Sequence, residues 1–291
     1  MVTGGGLTRR ALLGAAAAAT VAGRVRAAAP GPRLAAIDWA MLETAAAIGA
    51  MPVAACELLR FREDAVEPAL PGSVTDLGLR SAPNMELLQL VRPELILSSP
   101  WYAPMAPRFG TIAPVLSLPV YVPGESPWPH AIAALHALAE RLDMPRAAEA
   151  AAAAAAHDLA GLAARLAPFR DRPVYVADIG DARHFRAFGA DSMFGAILGE
   201  LGLENAWTGG SRYAFAAPVP IERLAERPEA RIVTVSGIPV LARRALETSV
   251  LWNRIPAVAE GRLLHLAPVN PFGGVPAGLR FARLLAAGLG A

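Results

Sequence analysis

An alanine-rich segment in the middle of the chain constrains its architecture more than any other feature. Residues 147–166 contain long alanine runs with almost no glycine, and Leu159, Leu162 and Leu166 recur at helical spacing. Alanine is the strongest helix former, and about twenty residues rising 1.5 Å each form a rod of roughly 30 Å. We therefore predict one long helix here, in preference to a disordered low-complexity linker.

The limits of this helix are predicted from its flanking residues. Asp143 is the expected N-cap, because its carboxylate can accept from the first free backbone N–H groups. Pro145 suits the first turn, where its missing N–H is not needed, and Pro168 ends the helix. Residues 143–168 are thus the predicted connecting helix.

The segments on both sides of this helix alternate short apolar runs with amphipathic stretches, which is typical of α/β architecture. We predict two Rossmann-like α/β lobes joined by the single helix, with a ligand cleft between them. The first lobe is assigned to 30–142 and the second to 169–291. The predicted strands are 33–37, 52–56, 95–98, 115–118, 174–177, 232–235 and 263–266. The predicted helices outside the connecting helix are 39–48, 84–90, 192–201, 239–248 and 277–285.

The first 29 residues have the pattern of an export signal. Arg9 and Arg10 precede an apolar run that extends to about Ala22, and small residues follow at 27–29. The apolar run is about a dozen residues, whereas a membrane-spanning helix needs about 20. The paired arginines favour the twin-arginine route, with the ordinary Sec route as the alternative. A lipid anchor needs a cysteine at this point, and the one cysteine is Cys56, so we expect a soluble periplasmic protein.

Charge and cysteine content exclude several classes of protein. The formal net charge is +2, from 27 basic residues, all arginine, and 25 acidic residues. Four arginines lie in the predicted signal, so 23 remain against 25 acids and the mature charge is −2. Nothing in this balance favours nucleic-acid binding. A single cysteine cannot form an internal disulfide, so the core alone must stabilise the fold; we expect a monomer.

Several stretches along the mature chain carry a specific resemblance. They are Asp76-Leu77-Gly78-Leu79-Arg80-Ser81-Ala82-Pro83-Asn84-Met85-Glu86-Leu87-Leu88, Phe188-Gly189-Ala190-Asp191-Ser192-Met193-Phe194, Glu204-Asn205-Ala206-Trp207, Ile221-Glu222-Arg223-Leu224, Leu251-Trp252 and Ala259-Glu260-Gly261-Arg262. In these, in this order, the chain resembles the periplasmic ferric-hydroxamate (ferrichrome-type) siderophore-binding proteins. That family belongs to the helical-backbone class of ABC importer substrate-binding proteins. The resemblance implies a role in iron uptake, with a ferric siderophore as ligand and an inner-membrane ABC importer permease as partner.

The resemblance also implies two ligand-binding residues. The family's arginine in the Gly-Leu-Arg segment, which donates to hydroxamate oxygens around the iron, matches Arg80, and the assisting tyrosine matches Tyr102. A forked, permanently charged guanidinium suits such polarised oxygens. Because the siderophore saturates the iron, the resemblance implies no protein metal ligand and no cofactor.

The chain departs from the family pattern around the expected pocket. Positions where relatives carry tryptophan are occupied by Asp64, Ala214 and Asn270. Aromatic lining is expected from Tyr213, Phe215 and Phe272. Arg186 and Arg212 stand where relatives have uncharged residues, and we count them and Asn270 among the expected ligand-binding residues. Fewer aromatic and more cationic groups favour a ligand with added carboxylate.

Docking on the importer is implied by the same resemblance. Family members present one carboxylate from each lobe to arginines of the importer. Glu222 matches the site in the second lobe, whereas Pro107 stands at the site in the first. Docking is therefore expected to be asymmetric, or to use a neighbouring acid such as Glu86.

Two alternatives remain open from the sequence. An exported enzyme is disfavoured, because the five histidines lack metal-ligand spacing and no Gly-x-Ser-x-Gly or phosphate loop is present. Gly273, Gly274 and Gly278 do not form a dinucleotide fingerprint, and a flexible loop is the expected explanation for them. Haem and cobalamin uptake proteins share the expected architecture, and Tyr102 could ligate haem iron.

Overall fold

A computed structural model describes residues 31–211 and 218–291 of the chain. Two separate five-stranded sheets organise residues 32–291, which form one compact unit. The first sheet is built from residues before the alanine-rich segment and the second from residues after it. We call the parts built on these sheets the N-lobe and the C-lobe. This confirms the predicted class of two α/β lobes joined by a long helix.

The N-lobe sheet is entirely parallel, in the order β3-β2-β1-β4-β5. Its strands are β1 (Leu34–Ala36), β2 (Ala54–Ala55), β3 (Thr75–Asp76), β4 (Leu95–Ser98) and β5 (Val115–Ser117). The central strands β1, β2 and β4 are fully buried, because helices cover both faces of a parallel sheet. The four strands predicted here are present, and β3 is an addition to them.

The C-lobe sheet is mixed, in the order β10-β9-β6-β7-β8. Its strands are β6 (Val174–Ile179), β7 (His184–Ala187), β8 (Val219–Pro220), β9 (Arg231–Thr234) and β10 (Leu263–His265). The three predicted strands, β6, β9 and β10, pair in parallel. The unpredicted β7 and β8 pair antiparallel. Asp181 explains the first reversal, since its carboxylate accepts from the backbone N–H groups of Arg183 and His184 and so closes a tight turn.

Helices surround the sheets and connect the lobes. They are α1 (Trp39–Ala47), α2 (Leu58–Asp64), α3 (Met85–Leu90), α4 (Ala106–Gly110), α5 (Pro127–Arg141), α6 (Pro145–Leu166), α7 (Met193–Glu200), α8 (Val240–Thr248), α9 (Val250–Arg254), α10 (Pro256–Ala259) and α11 (Val275–Leu289). Short 3-10 turns occur at Pro100–Met105, Ala167–Phe169 and Ile221–Ala225. Within the described ranges, no helix combines the length and apolarity that crossing a bilayer requires.

The connecting helix α6 has 22 residues and begins with Pro145 as predicted. Asp143 is not its N-cap: Met144 occupies that position and makes no side-chain cap bond. Asp143 instead adopts a left-handed conformation (φ 57°) at the end of α5, a helix that the sequence reasoning missed. The N–H of Met144 donates to the carbonyl of Ala139, and that of Asp143 to Glu140, as in a Schellman motif. The aspartate therefore ends one helix rather than starting the next.

One apolar core runs through both lobes. It includes Leu34 and Trp39 of the N-lobe, Leu159 of α6, and Phe194 and Phe281 of the C-lobe. The buried positions of α6 form the predicted stripe, and the helix packs against α5 on one side and α11 on the other. Because the core is continuous, separating the lobes would expose apolar surface, which costs about 25 cal/mol per Å².

A buried carboxyl group lies at the centre of this contact. Glu43 on α1 has no exposure to solvent. Its Oε1 accepts from Nδ2 of Asn270 at 2.7 Å, and its Oε2 accepts from the backbone N–H groups of Gly274 (2.8 Å) and Ala277 (3.1 Å). These groups belong to the start of α11 and the loop before it. An N-lobe side chain therefore caps a C-lobe helix.

The glycines at this point serve close packing rather than the flexible loop that the sequence suggested. A Cβ on Gly273 would lie 2.4 Å from Oε2 of Glu43. A Cβ on Gly278 would lie 2.9 Å from the ring of Trp128 on α5. Both glycines are thus required by the approach of α11 to the N-lobe.

Stability should depend on pH through Glu43. Burial raises the pKa of its carboxyl from 4.5 to about 8, against the opposing effect of its three N–H donors. The folded chain therefore binds a proton more readily than the unfolded chain, so the free energy of unfolding should fall as the pH rises from about 4.5 to about 8. The slope for one proton is at most about 1.4 kcal/mol per pH unit.

Urea denaturation at a series of pH values measures this slope. Glu43→Gln removes the titrating group and should flatten the profile in that range, whatever its own stability. The assignment would be contradicted if the free energy of unfolding of the wild type did not fall over this pH range, or if it changed with pH in the same way in the wild type and in Glu43→Gln.

Candidate functional site

A cleft opens where loops at the carboxyl ends of parallel strands meet between the lobes, the usual place for ligands in α/β folds. It consists of two adjoining cavities of about 310 Å³ and about 420 Å³, and Arg80 and Phe272 line both. N-lobe residues in the walls are Asp38, Trp39, Glu57, Arg60, Asp64, Arg80, Ser81, Trp101, Tyr102 and Tyr121. C-lobe residues are Asp178, Arg186, Phe188, 235–237 and 268–272.

Arg80 lies at the junction of the two cavities, in the loop between β3 and α3. Its guanidinium carbon is 4.0 Å from the ring centroid of Trp39, a cation–π contact. Its Nε donates to Oε2 of Glu57 at 2.9 Å, and its side chain is 22% exposed. Within residues 31–211 and 218–291, no protein group accepts from its two terminal nitrogens. Those nitrogens are therefore available to a ligand.

Tyr102 lies beside Arg80, in the 3-10 turn that follows β4. The phenol is half-buried, and burial, with a smaller effect from Asp38, raises its pKa to about 12. At neutral pH it is a neutral hydroxyl that can donate a hydrogen bond. The structure thus brings together the two residues, Arg80 and Tyr102, that the resemblance assigns to one ligand.

Asp38 supports the same wall from beneath. Its Oδ1 caps α1 by accepting from the N–H groups of Ala40 (2.7 Å) and Met41 (3.2 Å). Its Oδ2 accepts from Oγ of Ser99, at the end of β4, at 2.9 Å. Burial raises the pKa of this carboxyl above its usual value, against these hydrogen bonds. Asp38 thereby links the start of α1 to the turn that carries Tyr102.

Phe272 completes the floor of the cleft from the C-lobe. Its ring meets that of Tyr121 edge to face, with centroids 5.8 Å apart. The Tyr121 hydroxyl in turn donates to the carbonyl of Gly273 at 2.7 Å. An N-lobe tyrosine therefore fixes the loop that presents Phe272 to the cleft.

Asn270 borders the cleft but is 1% exposed. Its Nδ2 donates to Glu43 and its Oδ1 accepts from the N–H of Phe272. Both ends of the amide are used within the protein. The structure thus gives Asn270 a role in joining the lobes, and the predicted contact with ligand remains a prediction.

Arg186 lies on β7 and lines the cleft, and its predicted contact with the ligand stays a prediction. Its side chain is 59% exposed, and its Nη1 is 3.8 Å from Oδ2 of Asp178 on β6. Ser236 donates to the other oxygen of Asp178. On the opposite wall, Arg60 and Asp64 form an exposed pair at 2.8 Å. Each arginine of the described cleft therefore has an acidic neighbour, which weighs against the anionic ligand expected from the sequence.

Three predicted ligand-binding residues, Arg212, Tyr213 and Phe215, lie outside the described residues, as does Ala214. Among the expected docking positions, Glu222 is exposed on the turn Ile221–Ala225, and Pro107 and Glu86 are exposed on α4 and α3. Their part in docking remains a prediction. In the described part of the chain, no three His, Cys, Asp or Glu side chains lie close enough to bind a metal ion.

Sequence reasoning missed several residues of the cleft. Trp39, Glu57 and Asp178 have roles there that the motifs did not indicate. A local signal existed for two of them, because Glu57 directly follows the buried segment that ends at Cys56 and Trp39 stands two residues after the one that ends at Ile37. The carboxyl ends of parallel strands meet at one edge of a sheet, so polar or aromatic residues at these positions were candidates for the ligand site.

Comparison with known proteins identifies the class. The family described as periplasmic binding protein matches residues 34–269. This chain belongs to that family, whose members are substrate-binding proteins, and the prediction of a binding protein rather than an enzyme is thereby confirmed.

Individual relatives are more specific. The iron(3+)-hydroxamate-binding protein FhuD of Escherichia coli (strain K12) is 30% identical over 253 residues, which cover 87% of this chain and 85% of the relative. A structure of the siderophore-binding protein FhuD from Vibrio cholerae, with Fe3+-Desferal bound, superposes with a TM-score of 0.83 at 24% identity, covering 89% of this chain and 98% of that one. The petrobactin-binding protein YclQ from Bacillus subtilis has a TM-score of 0.71 at 16% identity, with coverage of 90% and 93%. The two structural matches establish the shared fold.

Asn270→Ala should cost stability, because it leaves the buried Glu43 without one of its three donors. We expect the free energy of unfolding to fall by about 1–3 kcal/mol. Asn253→Ala is the matched control. The Asn253 amide donates to two backbone carbonyls but is exposed, so its loss leaves no buried group without a donor and its effect should be smaller. Urea denaturation of both variants measures the difference. Equal losses would contradict the role of Asn270 between the lobes.

Proposed function

We propose that this chain captures a ferric hydroxamate siderophore in its interlobe cleft and delivers it to an ABC importer of the inner membrane. The observation that carries the proposal is the Arg80 guanidinium at the junction of the two cavities, with its terminal nitrogens directed to no other protein group in the described ranges. Iron is the cargo here and arrives inside the siderophore.

The chemistry of the cleft suits such a ligand. Hydroxamate oxygens bound to ferric iron are polarised acceptors, and a guanidinium offers several N–H donors in one plane. The Tyr102 hydroxyl adds a neutral donor from the same wall. Trp101, Phe272 and Tyr121 provide apolar and aromatic surface for the organic backbone of the siderophore. The 30% identity to an iron(3+)-hydroxamate-binding protein supports the same class of ligand.

The cellular setting of the proposal follows from family membership and from the expected signal. We place the mature protein in the periplasm, as a soluble monomer that binds neither nucleic acid nor a second copy. Glu222 is the proposed C-lobe contact with the importer permease, because its carboxylate is exposed on a short turn.

Haem is the second candidate ligand, since Tyr102 lies in the cleft and tyrosine can ligate haem iron. The high pKa of Tyr102 opposes this role, because a haem ligand is needed as phenolate. Purified protein mixed with haemin should leave the Soret band of haemin unchanged. In native mass spectrometry with a siderophore panel, ferric hydroxamates should be retained with one ligand per chain. A Soret shift without hydroxamate retention would favour the haem alternative.

Arg80→Ala should weaken the binding of ferric hydroxamates by roughly ten- to a hundredfold, because it removes a charge-assisted donor worth about 1.5–3 kcal/mol. Calorimetric titration measures this independently of Trp39, whose fluorescence the substitution itself will change. Arg60→Ala is the matched control: it removes an exposed arginine of the same cleft, 68% exposed, and should change affinity less than about threefold. An unchanged affinity in Arg80→Ala would remove this residue from the site.

A further inference from the structure

The contact between Glu57 and Arg80 differs from the other ion pairs of the cleft. The side chains of Glu57 and Arg80 are 13% and 22% exposed, whereas those of Arg60 and Arg186 are 68% and 59% exposed. Charges shielded from water interact more strongly than exposed ones, which solvent and salt screen. The Glu57 carboxylate therefore offsets the charge of Arg80 to a degree that Asp64 and Asp178 do not achieve for their partners.

Two hydrogen bonds determine where the guanidinium points. Oε2 of Glu57 accepts from Nε of Arg80 at 2.9 Å, and Oε1 accepts from its backbone N–H at 3.2 Å. Trp39 lies against one face of the guanidinium, and its own indole N–H donates to the carbonyl of Cys56 at 3.0 Å. Nε is used and one face is covered, and no acceptor among residues 31–211 and 218–291 binds the two terminal nitrogens. Their four N–H groups are the ones we assign to the ligand.

The backbone at Glu57 has an unusual conformation, which hydrogen bonds from neighbouring residues stabilise. Glu57 has φ 54° and ψ 44°, in the left-handed region that side chains other than glycine, asparagine and aspartate seldom adopt. Its N–H donates to the carbonyl of Gly78 at 2.8 Å. The carboxylate of Asp76 accepts from the N–H of Leu58, the residue after Glu57, and from the N–H of Gly78, whose carbonyl binds Glu57. Such conformations are energetically costly and concentrate at functional sites.

We propose that Glu57 is a positioning and specificity-determining residue, which orients Arg80 and offsets its charge so that the cleft selects an uncharged ferric hydroxamate over an anionic one. This inference rests on the proposed function. It replaces the preference for added carboxylate that the sequence suggested, since the arginine at the centre of the described cleft already has its anion.

The test compares two ligands in two variants. The ligands are ferric ferrichrome, an uncharged tris-hydroxamate complex, and the ferric complex of a citrate-based dihydroxamate, which carries added carboxylate. Glu57→Gln keeps the size of the side chain and an oxygen that can accept from Nε, but removes the charge. Asp64→Asn makes the same change in charge at the exposed pair of the same cleft and is the matched control.

Wild-type protein should bind ferrichrome more tightly. In Glu57→Gln the ratio of the two dissociation constants should shift towards the anionic ligand by at least about tenfold, and binding of that ligand should weaken with added salt. Asp64→Asn should shift the ratio by less than about threefold. A merely structural role for Glu57 would weaken both ligands by the same factor and leave the ratio unchanged, which would overturn the inference.

Further variants keep the test decisive. Glu57→Asp retains the charge on a shorter side chain, so it should weaken both ligands while keeping the wild-type ratio. Should Glu57→Gln fail to fold, Glu57→Asn removes the same charge with a residue that tolerates the left-handed region, and the ratio should again move towards the anion. Wild-type protein that binds neither complex would refute the proposed function itself, whereas wild-type binding with an unchanged ratio in Glu57→Gln would refute only the role of Glu57.

Discussion

The buried contact between Glu43 and the start of α11 is the constraint on which the relation of the two lobes depends. A carboxyl group without access to water is costly to bury unless hydrogen bonds satisfy it. The donors that satisfy Glu43 all come from the other lobe. Arg280 adds an ion pair at 2.7 Å, to Glu67 of the N-lobe. Any rotation of one lobe against the other would break these bonds as well as expose the shared core.

The geometry of the cleft depends on the contact between Glu43 and the start of α11. Helix α1 carries Glu43 in its second turn and begins with Trp39, on which Arg80 lies. The loop before α11 carries Phe272, and Asn270 binds both Glu43 and the backbone of Phe272. The two walls of the cleft are therefore positioned by one hydrogen-bonded unit. A donor set fixed in this way before the ligand arrives loses little conformational freedom on binding.

Much of the fold could be predicted because the periodicity of apolar residues and the residues that begin or end helices are local properties of the sequence. Alternating apolar runs placed the central strands of both sheets, and alanine content placed α6, within a few residues of their observed limits. The errors arose where two elements compete for one residue or where a partner is distant. Asp143 has the side chain of an N-cap, yet the preceding helix α5 uses its backbone. The strand β7 pairs antiparallel because Asp181 closes a tight turn, and no apolar pattern signals that.

Part of the candidate site could likewise be predicted from local sequence, and part depended on contacts between distant residues. The sequence alone predicted the two-lobe architecture, the expected export signal and the candidates Arg80 and Tyr102. These could be predicted because motifs and strand ends are recognised from residues that are neighbours in the chain. Only the tertiary structure decided that Asn270 donates to the buried carboxyl group of Glu43 rather than lying open in the cleft. It alone brought Glu57 against Arg80, 23 residues away in the chain. Charge compensation and burial depend on distances between residues remote in sequence. The distance between Glu57 and Arg80 is set when β2 and β3 pair within the N-lobe, and that between Glu43 and Asn270 is set when the two lobes pack together.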